Sequence, residues 1–210
     1  MKGWMTKVIN KIPYFSQWES PKLVGKIIER KILARDDQKW KNSGAKSPEE
    51  YEYWSWNICG MACLKMILAS KFSKNYKMIE LAKKCEEYGA YVQNGDKIDG
   101  LFYNPFKKLL EKEFRIKAKV FRIFLTIGRI KRELQNSNYL IASVSASIRK
   151  PDHTPEHKGG HLVLITGFDD HKKTLFFHNP SGFFGKSQEN CEISEKDFKK
   201  FFASRGILIY

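Results

Sequence analysis

The chain has 210 residues, 42% of them hydrophobic and 14% aromatic, and its 38 lysines and arginines against 23 aspartates and glutamates give a formal net charge of +15. These proportions exclude an intrinsically disordered chain and predict a single packed domain over 1–210. No stretch approaches the ~20 consecutive apolar residues that span a bilayer, and the first residues lack the apolar run of a signal peptide. We therefore expect no membrane span and a cytoplasmic location.

The excess of positive charge attracts acidic partners such as nucleic acids, anionic lipids and acidic peptides. Most of the lysines, however, are spread along the faces of predicted helices, and the sequence contains no aromatic and basic motif of a known nucleic-acid module. A generally basic surface is therefore favoured over a dedicated nucleic-acid site. The sequence leaves the oligomeric state open.

The first two thirds of the chain are predicted to be mainly helical. Ile12–Gln17 has the pattern of a short extended segment, and 22–53 is polar, basic and interrupted by Pro, Ser and Gly, which is typical of an insertion with a short helix around Val24–Leu33. Apolar spacing and terminal residues then predict four helices, with Asn57 as the N-cap of the first. These helices cover 58–70, 77–88, 105–113 and 126–135.

The pattern changes to strands after residue 138. Residues 139–148 alternate as a half-buried strand does, and the apolar, β-branched run Gly159–Phe168 predicts a buried strand. A turn over Asp169–Lys172 and a returning strand over 174–180 complete a hairpin, and a helix over 195–202 and a strand over 206–210 close the chain. Helices first and antiparallel strands second predict an α+β fold with a cleft between the halves.

The hairpin brings together two polar side chains that are suited to catalysis. If its turn is centred near Asp170, His161 lies directly opposite Asn179, with Cβ atoms roughly 4.5–5.5 Å apart. A slip of one residue, or a bulge at Gly167, would spoil this register. His161 is then the candidate base and Asn179 the residue that orients its ring.

Cys59 is the candidate nucleophile. It falls in the first turn of a predicted helix, where unpaired amides and the helix dipole favour a thiolate and lower a cysteine pKa from ~8.5 toward ~3.5–7.5. The other three cysteines fit small core residues, and free thiols are expected in a reducing compartment. These are Cys63, Cys85 and Cys191. The backbone amide of Cys59 and the side chain of Gln17 are candidate donors to a tetrahedral oxyanion.

Four blocks in this order resemble the papain-like bacteriocin leader peptidases, especially stand-alone proteins like those of cysteine-peptidase family thirty-nine. The blocks are Ile12–Gln17, Cys59–Ala62, Gly160–Phe168 and His178–Pro180. The resemblance implies a papain-like fold, in which the nucleophile helix of an N-terminal helical half packs against a C-terminal antiparallel sheet.

The same resemblance implies Cys59 as nucleophile, His161 as base, Asn179 as orienting residue and Gln17 in the oxyanion hole. Two positions depart from the family pattern, since Met61 stands where proline often follows Cys-Gly, and the Asn179 position is frequently aspartate. Asparagine also serves this role in papain-like enzymes, so neither change removes the catalytic set.

We therefore expect a thiol hydrolase that cleaves a peptide or isopeptide bond of a peptide or protein substrate, with no cofactor and no metal. An acyltransferase, in which an amine replaces water, needs the same residues. Two further alternatives are a catalytically idle papain-like domain that binds acidic partners and a zinc site formed by Cys59, Cys63 and His161.

Overall fold

An antiparallel β-sheet forms the centre of the fold in a computed structural model that describes residues 7–210. Nine strands lie in this part of the chain. They are β1 (Lys7–Ile9), β2 (Tyr91–Asn94), β3 (Lys97–Gly100), β4 (Ala118–Phe121), β5 (Tyr139–Ser145), β6 (Gly160–Asp169), β7 (Thr174–His178), β8 (Cys191–Ser194) and β9 (Phe202–Ile209). The central sheet has the order β4-β9-β5-β6-β7-β8, with β1 beside the end of β6, while β2 and β3 form a separate hairpin.

Seven α-helices connect and cover the strands within the described residues. They are α1 (Val24–Ile28), α2 (Pro48–Ser55), α3 (Cys59–Phe72), α4 (Met78–Glu87), α5 (Tyr103–Glu113), α6 (Ile127–Gln135) and α7 (Glu195–Phe201). Helix α3 packs against β6 on one face of the sheet, and α6 and α7 cover the other face. This confirms the predicted α+β arrangement, in which the helix that begins at Cys59 packs against a sheet formed mainly by the C-terminal half.

The central strands are buried on both faces because helices cover the sheet from each side. Successive side chains of a strand point to opposite faces. Leu162 and Leu164 of β6 therefore join the core beneath α3, while Val163 and Ile165 join the core beneath α6. A strand that is covered on both sides needs apolar residues at every position, which explains the uninterrupted apolar run of β6.

The segment 22–53 contains more regular structure than the sequence predicts. Helix α1 already ends at Ile28, and α2, which was not predicted, begins after Ser47, whose side chain accepts a hydrogen bond from Glu50 N at 3.1 Å. The serine cap and a proline at the first helical position both favour a helix start here. Tyr51 of α2 is buried in the same core as α3, so this segment shares the core of the helix that carries Cys59.

Helices α3 to α6 begin and end within two residues of their predicted limits. The predicted cap of α3 is wrong, however, because the N-cap residue is Ile58 and no side chain caps the helix. The Asn57 amide instead donates to Tyr53 O at 3.3 Å, at the end of the preceding helix. The first amides of α3 therefore remain free of side-chain caps next to the cysteine.

The strands are predicted less well than the helices. Strand β5 ends at Ser145, because residues 146–149 turn into a 3-10 helix, and β9 begins at Phe202, four residues before the predicted closing strand. Five short strands were not predicted, since a run of three or four residues shows too little alternation to stand out. These are β1, β2, β3, β4 and β8.

The predicted register of the β6–β7 hairpin is wrong. Ile165 pairs with Phe177, two residues beyond the predicted partner, and Gly167 pairs with Phe176, which leaves Thr166 as the extra residue of a bulge. The bulge lies beside β1, whose backbone approaches so closely that a Cβ on Gly167 would be 2.2 Å from Val8 O. Strand β7 therefore ends at His178, and Asn179 lies just beyond the paired residues.

His178 is a buried histidine that joins three segments of the chain. Its Nδ1 accepts a hydrogen bond from Asn190 N at 3.0 Å, and its Nε2 lies 2.9 Å from Ile12 O. Because Nδ1 accepts from a backbone N–H, Nε2 carries the ring proton and donates to Ile12. Burial lowers the pKa of His178 below its usual value, so the folded ring stays neutral.

We expect the protein to lose stability as the pH falls below about 6.5, because the unfolded His178 binds a proton there and the folded one does not. His178→Gln should lower the free energy of unfolding near neutral pH by about 1–3 kcal/mol. It should also make that free energy less dependent on pH between about 6.5 and 5. Urea denaturation at several pH values measures both effects.

His171→Gln is the matched control, because His171 is exposed in the turn between β6 and β7. Its unfolding free energy should follow that of the parent at each pH. If parent and His178→Gln lost stability equally on acidification, the acid sensitivity would not come from His178.

Candidate active site

Cys59 is the first residue of α3 and is half-buried. The backbone N–H groups of Cys59, Gly60 and Leu162 surround its sulfur and favour a negative charge there. Gly60 lies in a crowded position, where a Cβ would be only 2.8 Å from the side chain of Leu101. The cysteine is therefore held where α3 meets β6 and the segment after β3.

Burial raises the pKa of the Cys59 thiol above its ordinary value, while the three backbone N–H groups and the cation of Arg149 act in the opposite direction. The sequence predicts a lowered pKa from the position at the helix start alone. The prediction is wrong in direction for the free protein, because loss of solvent outweighs the helix terminus. The resting thiol is neutral near pH 7.

His161 is the second residue of β6 and is 4% exposed. Its Nε2 lies 2.8 Å from Asn179 Oδ1, so the two side chains meet although the predicted register is wrong. Continuing the pairing of Leu164 with His178 would place Asn179 opposite Val163, two residues from His161 along β6. The contact is thus a diagonal one, made by a residue that has left the strand.

The Asn179 amide has one orientation that satisfies its neighbours. The backbone N–H of Ser181 donates to Asn179 Oδ1 at 3.2 Å, which identifies the oxygen because a backbone amide can only donate. The same oxygen faces His161, so Nε2 of the ring must carry a proton and donate to it. This tautomer leaves Nδ1 of His161 with a free lone pair, as a general base requires.

Arg149 and Ser181 are two polar residues beside the histidine that the sequence does not point to. The guanidinium of Arg149 donates to Ser181 O at 2.7 Å and to Ser181 Oγ at 2.7 and 3.1 Å. Ser181 Oγ in turn lies 3.1 Å from His161 Nε2 and 3.5 Å from Asn179 Oδ1. The only signal in the sequence is an arginine soon after a buried strand, and no spacing rule relates it to Ser181.

Burial lowers the pKa of His161 to about 3, and the nearby cation of Arg149 lowers it further, while the hydrogen bond to Asn179 acts against both. Burial therefore affects the two candidate reactive groups in the same sense. It keeps the thiol protonated and the imidazole unprotonated, so the resting pair is neutral.

Gln17 contacts the turn that follows Asn179 but does not line the cavity beside Cys59 and His161. It is 3% exposed, its Nε2 donates to Ser55 O at 2.6 Å, and its Oε1 has no partner within residues 7–210. Its backbone N–H donates to Pro180 O at 2.8 Å, which ties it to the turn after Asn179. One proton of the Gln17 side-chain amide is thus engaged by Ser55 O.

A cavity of about 650 Å³ opens beside Cys59 and His161. Gly160 and Leu162 of β6 line it together with Ser143 of the neighbouring strand β5 and Arg205 of β9. The chain from the end of β3 into α5, Gly100–Pro105, also lines it. The cavity brings the sulfur and the imidazole to one surface that a substrate can reach.

The zinc alternative has no support in the described part of the chain. No group of three or more His, Cys, Asp or Glu side chains within residues 7–210 is placed to hold a metal ion, and Cys63 directs its thiol to Leu162 O at 3.8 Å.

None of the helices over residues 7–210 is both long and apolar enough to cross a membrane.

Comparison with known proteins gives a fold neighbour among solved structures and no match among curated proteins. A protein described as a C39-like peptidase from Bacillus anthracis superposes with a TM-score of 0.54 and 14% identity, over 73% of this chain and 88% of that one. The peptidase domain of Streptococcus ComA, a bifunctional ABC transporter involved in a quorum-sensing pathway, gives a TM-score of 0.48 and 15% identity, over 73% and 91%. At such identities, the Bacillus protein indicates a shared fold and no more.

The family comparison covers nearly the whole chain. The model of the Peptidase_C39 like family matches residues 9–206, a span that includes the cysteine, the histidine and the cavity between them. Membership implies a peptide or protein substrate. The chain therefore belongs to the Peptidase_C39 like family and is a cysteine peptidase-like enzyme.

Proposed function

We propose that the protein hydrolyses a peptide or isopeptide bond through an acyl-enzyme on Cys59, with His161 as general base. The observation that carries the proposal is the cavity that Cys59 and His161 share, together with the 2.8 Å contact that orients the imidazole toward Asn179. A thiol, a base with a fixed tautomer and an open cavity are the parts that nucleophilic acyl transfer requires.

In the first half-reaction, the sulfur of Cys59 attacks the carbonyl carbon while Nδ1 of His161 takes the thiol proton. The carbonyl electrons move to oxygen, and the backbone N–H of Cys59 stabilises the resulting oxyanion, with the second amide proton of Gln17 as the other donor. The C–N bond then breaks as His161 returns the proton to the leaving nitrogen. The products of this step are a free amine and a thioester on Cys59.

In the second half-reaction, His161 takes a proton from water as the water oxygen attacks the thioester carbon. The C–S bond breaks, the sulfur of Cys59 recovers the proton, and the carboxylic acid leaves. An acyltransferase differs only in that an amine replaces water at this step. Product analysis by mass spectrometry, with and without added amines, distinguishes hydrolysis from transfer, and an amide product formed in preference to the acid would contradict hydrolysis.

We propose that Asn179, Ser181 and Arg149 position the base. Ser181 N–H fixes the Asn179 oxygen, the oxygen fixes the ring proton of His161 on Nε2, and Arg149 fixes Ser181 through three hydrogen bonds. Arg149 also favours negative charge on Cys59. Its cation therefore assists formation of the thiolate in a site whose burial opposes it.

Cys59→Ala should reduce peptide cleavage by about three orders of magnitude or more, because the acyl-enzyme cannot form. It should also remove the iodoacetamide-reactive thiol of the folded protein. A mixed peptide library read by mass spectrometry measures cleavage, and mass labelling of the intact native protein measures alkylation.

Cys191→Ala is the matched control, because Cys191 is the other half-buried cysteine among the described residues and burial raises its pKa to about 12. This variant should cleave and label as the parent does. Unchanged labelling in Cys59→Ala would contradict an accessible nucleophile. If a Cys59→Ala, His161→Ala double variant kept binding an acidic partner while the parent turned over no peptide, the idle binding domain would be correct.

The alkylation rate of Cys59 should rise with pH through the alkaline range, since burial raises the pKa of this thiol and the thiolate is the reactive form. Arg149→Gln removes the cation that opposes this rise and should move the profile to higher pH. Stopped-flow alkylation from about pH 6 to about pH 10 measures the midpoint.

Arg149→Lys keeps the positive charge and should keep a profile close to that of the parent, so it separates the charge from the packing of this residue. Circular dichroism of each variant checks the fold. An unchanged midpoint in folded Arg149→Gln would show that Arg149 has no electrostatic effect on the thiol.

A further inference from the structure

Two arginines line the active-site cavity, and no aspartate or glutamate lines it with them. They are Arg122, just after β4, and Arg205, in β9. Both side chains are exposed to solvent in the cavity. The surface next to the reacting groups therefore carries an excess of positive charge in addition to that of the chain as a whole.

Arg205 is held in place by neutral groups. Its Nε donates to Ser143 Oγ at 3.3 Å, and Tyr103 lies within hydrogen-bonding reach of both residues. Gly159 leaves room for the guanidinium, because a Cβ at this position would be 2.6 Å from Arg205 Nη2. The φ of Gly159 is +94°, a conformation that side chains other than glycine rarely adopt. The position of Arg205 thus depends on the residue that leads into β6 and His161.

Neither arginine has an acidic partner within residues 7–210. The ion pairs of this part of the chain involve other cations, and the hydrogen bonds of Arg205 go to uncharged hydroxyl groups. A guanidinium presents several N–H donors in a plane that matches the two oxygens of a carboxylate. Two such groups without a counter-charge, at the edge of a binding cavity, favour an anionic part of the substrate.

The size of the cavity limits how far this anion lies from the bond that is cut. A volume of about 650 Å³ corresponds to roughly 9 Å across, and an extended peptide advances about 3.3 Å per residue. About three substrate residues therefore fit along the cavity from Cys59. The apolar side chains of Leu101 and Leu162 line the rest of the path, where uncharged parts of the substrate can pack.

We propose that the enzyme selects peptides that carry a carboxylate within about three residues of the scissile bond, bound by Arg205 and Arg122. The carboxylate comes either from an aspartate or glutamate side chain or from a free C-terminus close to the cleavage point. This inference rests on the proposed peptidase function, because the cavity is placed relative to Cys59.

Binding can be tested without turnover in the Cys59→Ser protein. Peptide libraries with one position fixed as Glu, Gln or Lys, each made as the free acid and as the C-terminal amide, serve as probes. We expect the Glu peptides at one position, or the free acids, to bind about tenfold more tightly than the matched Gln peptides or amides, and Lys peptides to bind more weakly than either. The two comparisons separate a side-chain carboxylate from a terminal one.

Arg205→Gln and Arg122→Gln should each reduce the ratio between the affinities for carboxylate peptides and for the matched neutral peptides. The double variant should bring this ratio close to one. Arg132→Gln is the matched control, since Arg132 is exposed on α6 at the opposite face of the sheet. It removes the same charge and should leave the ratio unchanged. Arg122 follows β4 and Arg205 lies in β9, so if one of the two variants misfolds, the other still tests the proposal.

The same libraries with the parent enzyme separate the inference from the function on which it rests. In one outcome, the parent cleaves peptides but binds and cleaves Glu peptides no better than Gln peptides, and free acids no better than C-terminal amides. That result would contradict the carboxylate site and leave the proposed peptidase function intact. If the parent cleaves nothing while Cys59→Ser prefers carboxylates through Arg205 and Arg122, the site stands and the proposed hydrolysis is wrong. A preference for carboxylate peptides that persists in the double variant would also contradict binding of the carboxylate by Arg205 and Arg122.

Discussion

The hydrogen bond between His161 and Asn179 is the interaction on which the candidate site depends. It forms outside the regular pairing of the hairpin, where the chain leaves β7 and turns through Pro180 and Ser181. The turn supplies the Ser181 N–H that orients the amide, and Gln17 N–H holds the turn by donating to Pro180 O at 2.8 Å. A tautomer of one histidine is thereby set by backbone groups from two distant parts of the chain.

Burial of this site favours the neutral form of both reactive groups, and so it shifts their pKa values in opposite directions. Removal of water disfavours charge, so the thiol tends to keep its proton and the imidazole tends to stay without one. The half-buried cation of Arg149 acts against the first tendency and adds to the second. The arrangement suits a mechanism in which the proton moves from sulfur to nitrogen as the carbonyl is attacked, since the thiolate is then formed only when it is used.

The sheet provides the rigid frame for these contacts because it is covered by helices on both faces. Helix α3 packs directly on β6, so the cysteine and the histidine belong to two elements that share one core. The bulge at Thr166 is accommodated toward the far end of β6, where β1 pairs, and leaves the end that carries His161 regular against β5. The irregular part of β6 thus lies away from the base.

Local patterns in the sequence were sufficient for the helices, the buried strand and the identity of the candidate nucleophile, base and orienting residue. Apolar spacing reports helix and strand faces directly, which is why α3 and β6 were predicted close to their observed limits. The Cys59, His161 and Asn179 positions could be proposed because a cysteine at a helix start and a polar pair in a hairpin are visible within short windows.

Only the tertiary structure decided how these residues meet. The bulge of the hairpin lies where β6 also pairs with β1, more than 150 residues away in the chain, and the direction of the Cys59 pKa shift depends on burial by several elements. The contacts of Arg149 with Ser181, and of Arg205 with Ser143 in the cavity, join residues with no fixed spacing. Such features arise from packing between distant segments, and short-range periodicity contains no information about them.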